Sequence, residues 1–136
     1  RLQNDDWAIR GLAALALGQV GGHVAYHSLV KALGCEETYV QCMAACGLAE
    51  LGDPRAVPAL QIASCSDKEL LRHDAFWALG HIDTPDTIKA LHLGLNDPSK
   101  LVRLRALEGL VRLGQVSKLD PEDAVALDKL PSLPLA

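Results

Sequence analysis

Aromatic residues are scarce in this chain. One Phe, two Trp and two Tyr make up 4 % of its 136 residues. Strands draw on aromatic and β-branched side chains, so a sheet protein fits poorly, while abundant Ala, Leu and Gly suit closely packed helices. Positive charge is not in excess either: 13 Lys and Arg stand against 17 Asp and Glu, a net charge of −4. Nucleic-acid binders carry a basic stripe, so nucleic acid is a disfavoured partner. No apolar run reaches the roughly 18 residues that span a bilayer, so no transmembrane helix and no membrane partner are expected. The opening RLQNDDW holds no signal-peptide core. With no secretion signal, the four cysteines Cys35, Cys42, Cys46 and Cys65 read as reduced thiols of a cytoplasmic protein. What is plentiful is apolar surface. Hydrophobic residues are 49 % of the chain, which excludes disorder of the whole, and the length suits one domain.

The chain repeats itself. Leu-Gly recurs at Leu17-Gly18, Leu51-Gly52, Leu79-Gly80 and Leu113-Gly114, with spacings of 34, 28 and 34 residues. Four residues before each Gly stand Ala14, Leu48, Phe76 and Leu110. Five before stand the small residues Ala13, Gly47, Ala75 and Gly109. Eight before stand Arg10, Ala44, Arg72 and Ala106. Offsets of one, four, five and eight trace one face of an α-helix. Each Gly is expected to close its helix in a left-handed conformation. Asp53-Pro54, Thr84-Pro85, Asp97-Pro98 and Asp120-Pro121 each place a capping side chain before a Pro that opens a helix. Ser66 and Glu69 have capping-box spacing. The pattern predicts helices over 5–17, 22–33, 37–51, 54–64, 67–79, 85–95, 98–113 and 121–129, with a kink at Pro58. These are four helix–turn–helix units. A single pair cannot bury its apolar stripe, so the units stack into a solenoid. Residues 1–130 form one repeat domain, and 131–136 form a tail with two prolines.

At this level the sequence resembles the short HEAT-like repeat proteins, as found in phycobilisome lyases and their bacterial relatives. Gly47-Leu-Ala-Glu-Leu-Gly-Asp-Pro-Arg-Ala-Val-Pro-Ala-Leu60 carries the second half of that pattern. Asp74-Ala-Phe-Trp-Ala-Leu-Gly80 and Ala13-Ala-Leu-Ala-Leu-Gly18 carry its middle. Arg10 and Arg72 fall where the family has its Arg, whereas Ala44 and Ala106 depart from it. The resemblance implies an all-α fold, a right-handed α-α superhelix of about four helical pairs. It also implies that the second helix of each pair lines the concave face.

The candidate chemistry is modest. His23 and His27 share a helix face but have no third metal ligand nearby in sequence. Some HEAT-like proteins are iron hydroxylases built on paired His-Glu dipeptides, and no His-Glu dipeptide occurs here. Cys42 and Cys46, four apart, read as structural thiols; with Cys35 they are the one zinc alternative. No catalytic constellation, metal site or cofactor motif is legible, so catalysis is not expected. Arg10 and Arg72 lie beside the apolar face and read as structural ties between repeats, with Asp6, Asp67, Asp5 or Asp74 as nearby carboxylates. Trp77 flanks the stripe, either as packing or as a binding anchor. The outward polar residues of the second helices, His27, Lys31, Arg55, Gln61, Lys89 and His92, form a modestly basic face in an acidic protein. The expected function is therefore non-catalytic binding of another protein, one with an acidic surface. Bilin-lyase-like ligand handling and HEAT-like nucleic-acid binding are the rival readings. Exposed apolar ends of the solenoid would also permit a homodimer.

Overall fold

The computed structural model describes residues 21–115 and, ahead of them, positions 9, 12, 13, 16, 19 and 20. Of the expected helix 5–17, positions 9, 12, 13 and 16 are described and helical, and positions 19 and 20, past the Gly18 expected to close it, are helical too; the expected helix 121–129, the tail 131–136 and the side chains of Arg10 and His23 lie outside the described residues. Within them the chain is helical: α1 (His23–Leu33), α2 (Thr38–Leu51), α3 (Val57–Ala63) entered through a 3-10 turn (Pro54–Ala56), α4 (Glu69–Leu79), α5 (Pro85–Gly94) and α6 (Lys100–Arg112). The first helices α2, α4 and α6 pack side by side. The second helices α1, α3 and α5 form the other layer. This is the all-α solenoid expected from the repeat.

The stripe read from the sequence is the core. Ala44, Leu48, Ala75, Leu79, Ala106 and Leu110 are fully buried, and Phe76 nearly so. Burying a Leu of this kind contributes about 1.5–3 kcal/mol. Gly47, Ala75 and Gly109 are buried at the helix crossings, whereas Ala13, the fourth small residue of that set, is exposed.

The helix ends depart from expectation in instructive places. Gly52 and Gly114 adopt the positive φ of a left-handed helix end, at 64° and 72°. Gly80 does not; its φ is −65°. Its small size serves a crossing instead, because a Cβ there would stand 2.7 Å from Gly109 Cα. Asp53 and Thr84 cap as expected, accepting from Arg55 N–H at 2.9 Å and Thr87 N–H at 3.1 Å. Ser66 and Glu69 form no capping box. Ser66 Oγ accepts from Lys68 N–H at 3.0 Å, and α4 begins only at Glu69. The Glu69 carboxylate reaches the next repeat and accepts from Ser99 Oγ–H at 2.9 Å. Asp97 does not cap α6 either. Ser99 is the cap, and α6 starts two residues later than the Asp-Pro pair suggests. Pro58 breaks the segment 54–64 into the 3-10 turn and α3, a sharper interruption than a kink.

Candidate functional site

The second helices build one face from their off-stripe residues. On α3 the core takes Val57, Leu60 and Ala63. Gln61 and Ile62 therefore point away from it. On α5 the core takes Thr87, Ala90, Leu91 and Gly94, which leaves Lys89 and Leu93 outward. The result is two hollows on either side of α3. One, about 580 Å³, lies between α1 and α3 and is lined by Val30, Leu33, Ala59 and Ile62 over Leu71. The other, about 300 Å³, lies between α3 and α5 and is lined by Gln61, Phe76, Lys89, Leu93 and Asp97. Cys65 borders both. Ile62 and Leu93 are 76 % and 75 % exposed, so each hollow has a large aliphatic side chain at its edge.

The six residues expected on this face are not equivalent. Gln61 and Lys89 meet in the hollow between α3 and α5. Lys89 and Lys31 are exposed and make no ion pair among the described residues. His27 is exposed on α1, its ring edge-on to Tyr26, and His92 is half-buried on α5. Arg55 is engaged elsewhere. Its guanidinium grips Asp53, with Nη2 to Oδ2 at 2.6 Å, and lies 4.3 Å from the Tyr26 ring centroid. Hydrogen bonding to Asp53 holds the guanidinium above its ordinary pKa. Tyr26 Oη–H also donates to the Arg55 carbonyl at 3.1 Å. Arg55 thus ties α1 to the segment leading into α3. Sequence reasoning missed Ile62, Leu93 and Cys65. The signal was present: each aliphatic interrupts the helical stripe of its own segment.

The first-helix layer is knit by charge. Arg72 Nε and Nη2 grip Asp97 at 2.9 and 3.1 Å, with side chains only 15 % and 8 % exposed, and Nη1 donates to the Ser66 carbonyl at 3.1 Å. The tie runs from α4 to the turn before α6, and its carboxylate is Asp97, none of those the sequence suggested. His73 Nδ1 faces Asp74 at 2.9 Å. His73 Nε2 accepts from Arg105 Nε–H at 2.8 Å, and Arg105 pairs in turn with Glu108. Burial and the neighbouring Asp74 push the Cys42 thiol up to about 12 and Cys46 up to about 11. Trp77 is half-buried on α4, with the His81 ring centroid 4.3 Å from its own. Among the described residues, no three His, Cys, Asp or Glu side chains come together to hold a metal ion. No helix among them is long and apolar enough to cross a membrane.

Comparison with known proteins agrees with this geometry. The model for HEAT repeats matches residues 26–111 and again 60–130. Human deoxyhypusine hydroxylase is 32 % identical over 93 residues, 67 % of this chain, and the mouse protein is 30 % identical over 120 residues, 87 % of it. The chain spans only 31 % and 40 % of those two relatives' lengths. The structure of human deoxyhypusine hydroxylase in complex with glycerol aligns at a TM-score of 0.68 and 26 % identity, over 82 % of this chain and 44 % of that one. The complex of CpcE and CpcF of phycocyanin lyase from Nostoc sp. PCC7120 aligns at 0.69 and 22 % identity, over 92 % of this chain and 81 % of that one, a likeness of fold. With the repeat model covering most of its length and the helical layers in place, this chain belongs to the HEAT-repeat family.

Proposed function

We propose that this chain is a non-catalytic binding module that holds a partner protein against its second-helix face. The observation that carries the reading is the pair of hollows flanking α3, edged by exposed Ile62 and Leu93 with Lys89 and Gln61 between them. Apolar side chains of a partner fill such hollows, and acidic groups pair with Lys89 in the hollow between α3 and α5 and with exposed Lys31 on α1. The partner is thus a protein whose contacting segment alternates apolar and acidic residues. Free thiols at all four cysteines support a reducing, cytoplasmic setting. Exposed Ile9, Leu12 and Val20 ahead of α1 support a second, weaker contact between copies of the chain.

The enzyme reading is favoured by one observation, the 32 % identity to a hydroxylase. The donor set does not fit it. The chain has no His-Glu dipeptide, and the described residues supply no three-ligand cluster. A bilin-handling reading predicts visible absorbance on mixing with bilin, and the binding-module reading predicts none.

The test is affinity capture from native extract at low and high salt, followed by direct binding of the recovered protein to purified chain. Changing Lys89 and His92 together to Glu is expected to abolish that binding. Retention of full affinity would remove the partner from this face, and recovery of nucleic acid or a coloured cofactor in place of a protein would overturn the reading.

A further inference from the structure

The first helices carry a hollow of their own, on the opposite side of the molecule from the proposed partner face. A cavity of about 530 Å³ opens between the C-terminal ends of α4 and α6. Its floor is bare backbone, because Gly80 and Gly109 cross there at the closest approach of the two helices. One wall is Trp77. The ring of His81 lies beside it, fixed by a hydrogen bond from Nδ1 to the Trp77 carbonyl at 2.8 Å. A carbonyl only accepts, so that nitrogen carries the proton. The other wall is α6, which presents Val111, Arg105, Glu108 and Arg112.

The charges of this hollow do not cancel. Glu108 is taken by Arg105, whose Nε–H is spent on His73. Arg112 is exposed and makes no ion pair among the described residues. The carbonyls at both helix ends are occupied as well. Phe76 and Ala78 accept from Gly80 and His81, and Gly109 and Val111 accept from Leu113 and Gly114. Those bonds close the two helix ends, and among the described residues the side-chain charge left without an ion pair in this hollow is the Arg112 guanidinium. Val111 and Arg112 stand exposed off the stripe that buries Ala75, Leu79, Ala106 and Leu110, while Trp77 packs against the edge of that core and keeps part of its surface in the hollow.

We propose that this hollow binds a flat apolar acid, an aromatic ring carrying a carboxylate. The ring rests against the Trp77 indole and Val111 above the Gly80–Gly109 crossing. The carboxylate pairs with the Arg112 guanidinium, whose planar fork matches it. Two sources carry this chemistry: a free aromatic acid, and an aromatic residue at the C-terminus of a protein chain.

The experiment titrates isotope-labelled chain with phenylacetate and, separately, with a peptide ending in Phe, and follows the Gly80 and Gly109 amides and the Trp77 indole N–H by NMR. Saturable shifts of these signals are expected with at least one probe, and the probe that binds identifies the source. Arg112→Gln should weaken that binding by about tenfold or more, and Trp77→Leu should abolish it. Lys89→Glu, on the other face, should leave it unchanged. Signals that neither probe moves, or affinity equal in Arg112→Gln and the parent chain, would overturn the proposal.

Discussion

The two layers of this solenoid spend their polar residues differently. Across the first helices the polar groups answer one another: Asp74, His73, Arg105 and Glu108 form a continuous row, and Arg72 closes on Asp97. Across the second helices Lys31 and Lys89 stand without ion pairs among the described residues, and Ile62 and Leu93 stand out of the core. The same repeat therefore makes one layer whose charges, Arg112 apart, are largely spent within the stack and another whose lysines are not, while exposed aliphatics occur on both, Leu70, Leu101 and Val111 on the first. Arg55 is the instructive exception. It sits in the second layer, yet it is consumed by Asp53 and Tyr26 and belongs to the first kind.

The comparison breaks first at Arg72. Replacing it with Met strands Asp97, 8 % exposed, beside a lost partner. Urea unfolding should show a loss of about 2–4 kcal/mol, and Asp97→Asn on top should recover part of it. Next is the helix crossing. Gly80→Ala drives a Cβ to 2.7 Å from Gly109 Cα, backbone that has nowhere to move. It should cost about 1–3 kcal/mol, as should Ala75→Leu in the same stripe. Gly52→Ala meets no neighbour and should cost about 1 kcal/mol, the strain of a left-handed residue alone.

A pH titration sharpens the picture of the first layer. Cys42 and Cys46 ionise in the folded chain only near 12 and 11, against an ordinary 9.0. Raised thiol pKa values contribute stability that is complete below about 9 and lost as pH climbs toward those values. Thermal midpoints should fall over that window, and the fall should shrink in Cys42→Ala/Cys46→Ala. The smallest effect belongs to the second layer. Lys89→Glu should change stability by less than about 0.5 kcal/mol, while weakening partner binding.

Most of the solenoid was legible in the sequence because its signals are periodic. The Leu-Gly repeat with the stripe behind it, and the turn and Pro signals after each Gly, place α1, α2, α4, α5 and α6 within two residues of their observed bounds. The errors share a cause. Ser66, Glu69 and Asp97 were read as partners of their own helices, but Glu69 and Asp97 are claimed by residues about 25–30 positions away. Local patterns cannot register such competition. Gly80 was misread for the same reason: its role depends on Gly109, a neighbour in the next repeat. The outward face of the second helices was half legible. Lys89 and Gln61 were found as outward polar residues. Ile62 and Leu93 were passed over because a hydrophobic residue in a helical segment reads as core unless its register is checked.

The central claim is that a protein partner docks on the second helices, and chemical-shift mapping of that complex tests it most directly. Labelled chain titrated with its captured partner should show the largest shifts at Gln61, Ile62, Lys89 and Leu93, with Leu70 and Leu101 on the first helices unmoved. Shifts concentrated on Leu70, Leu101 and the Arg105 row, with Ile62 and Leu93 silent, would contradict it.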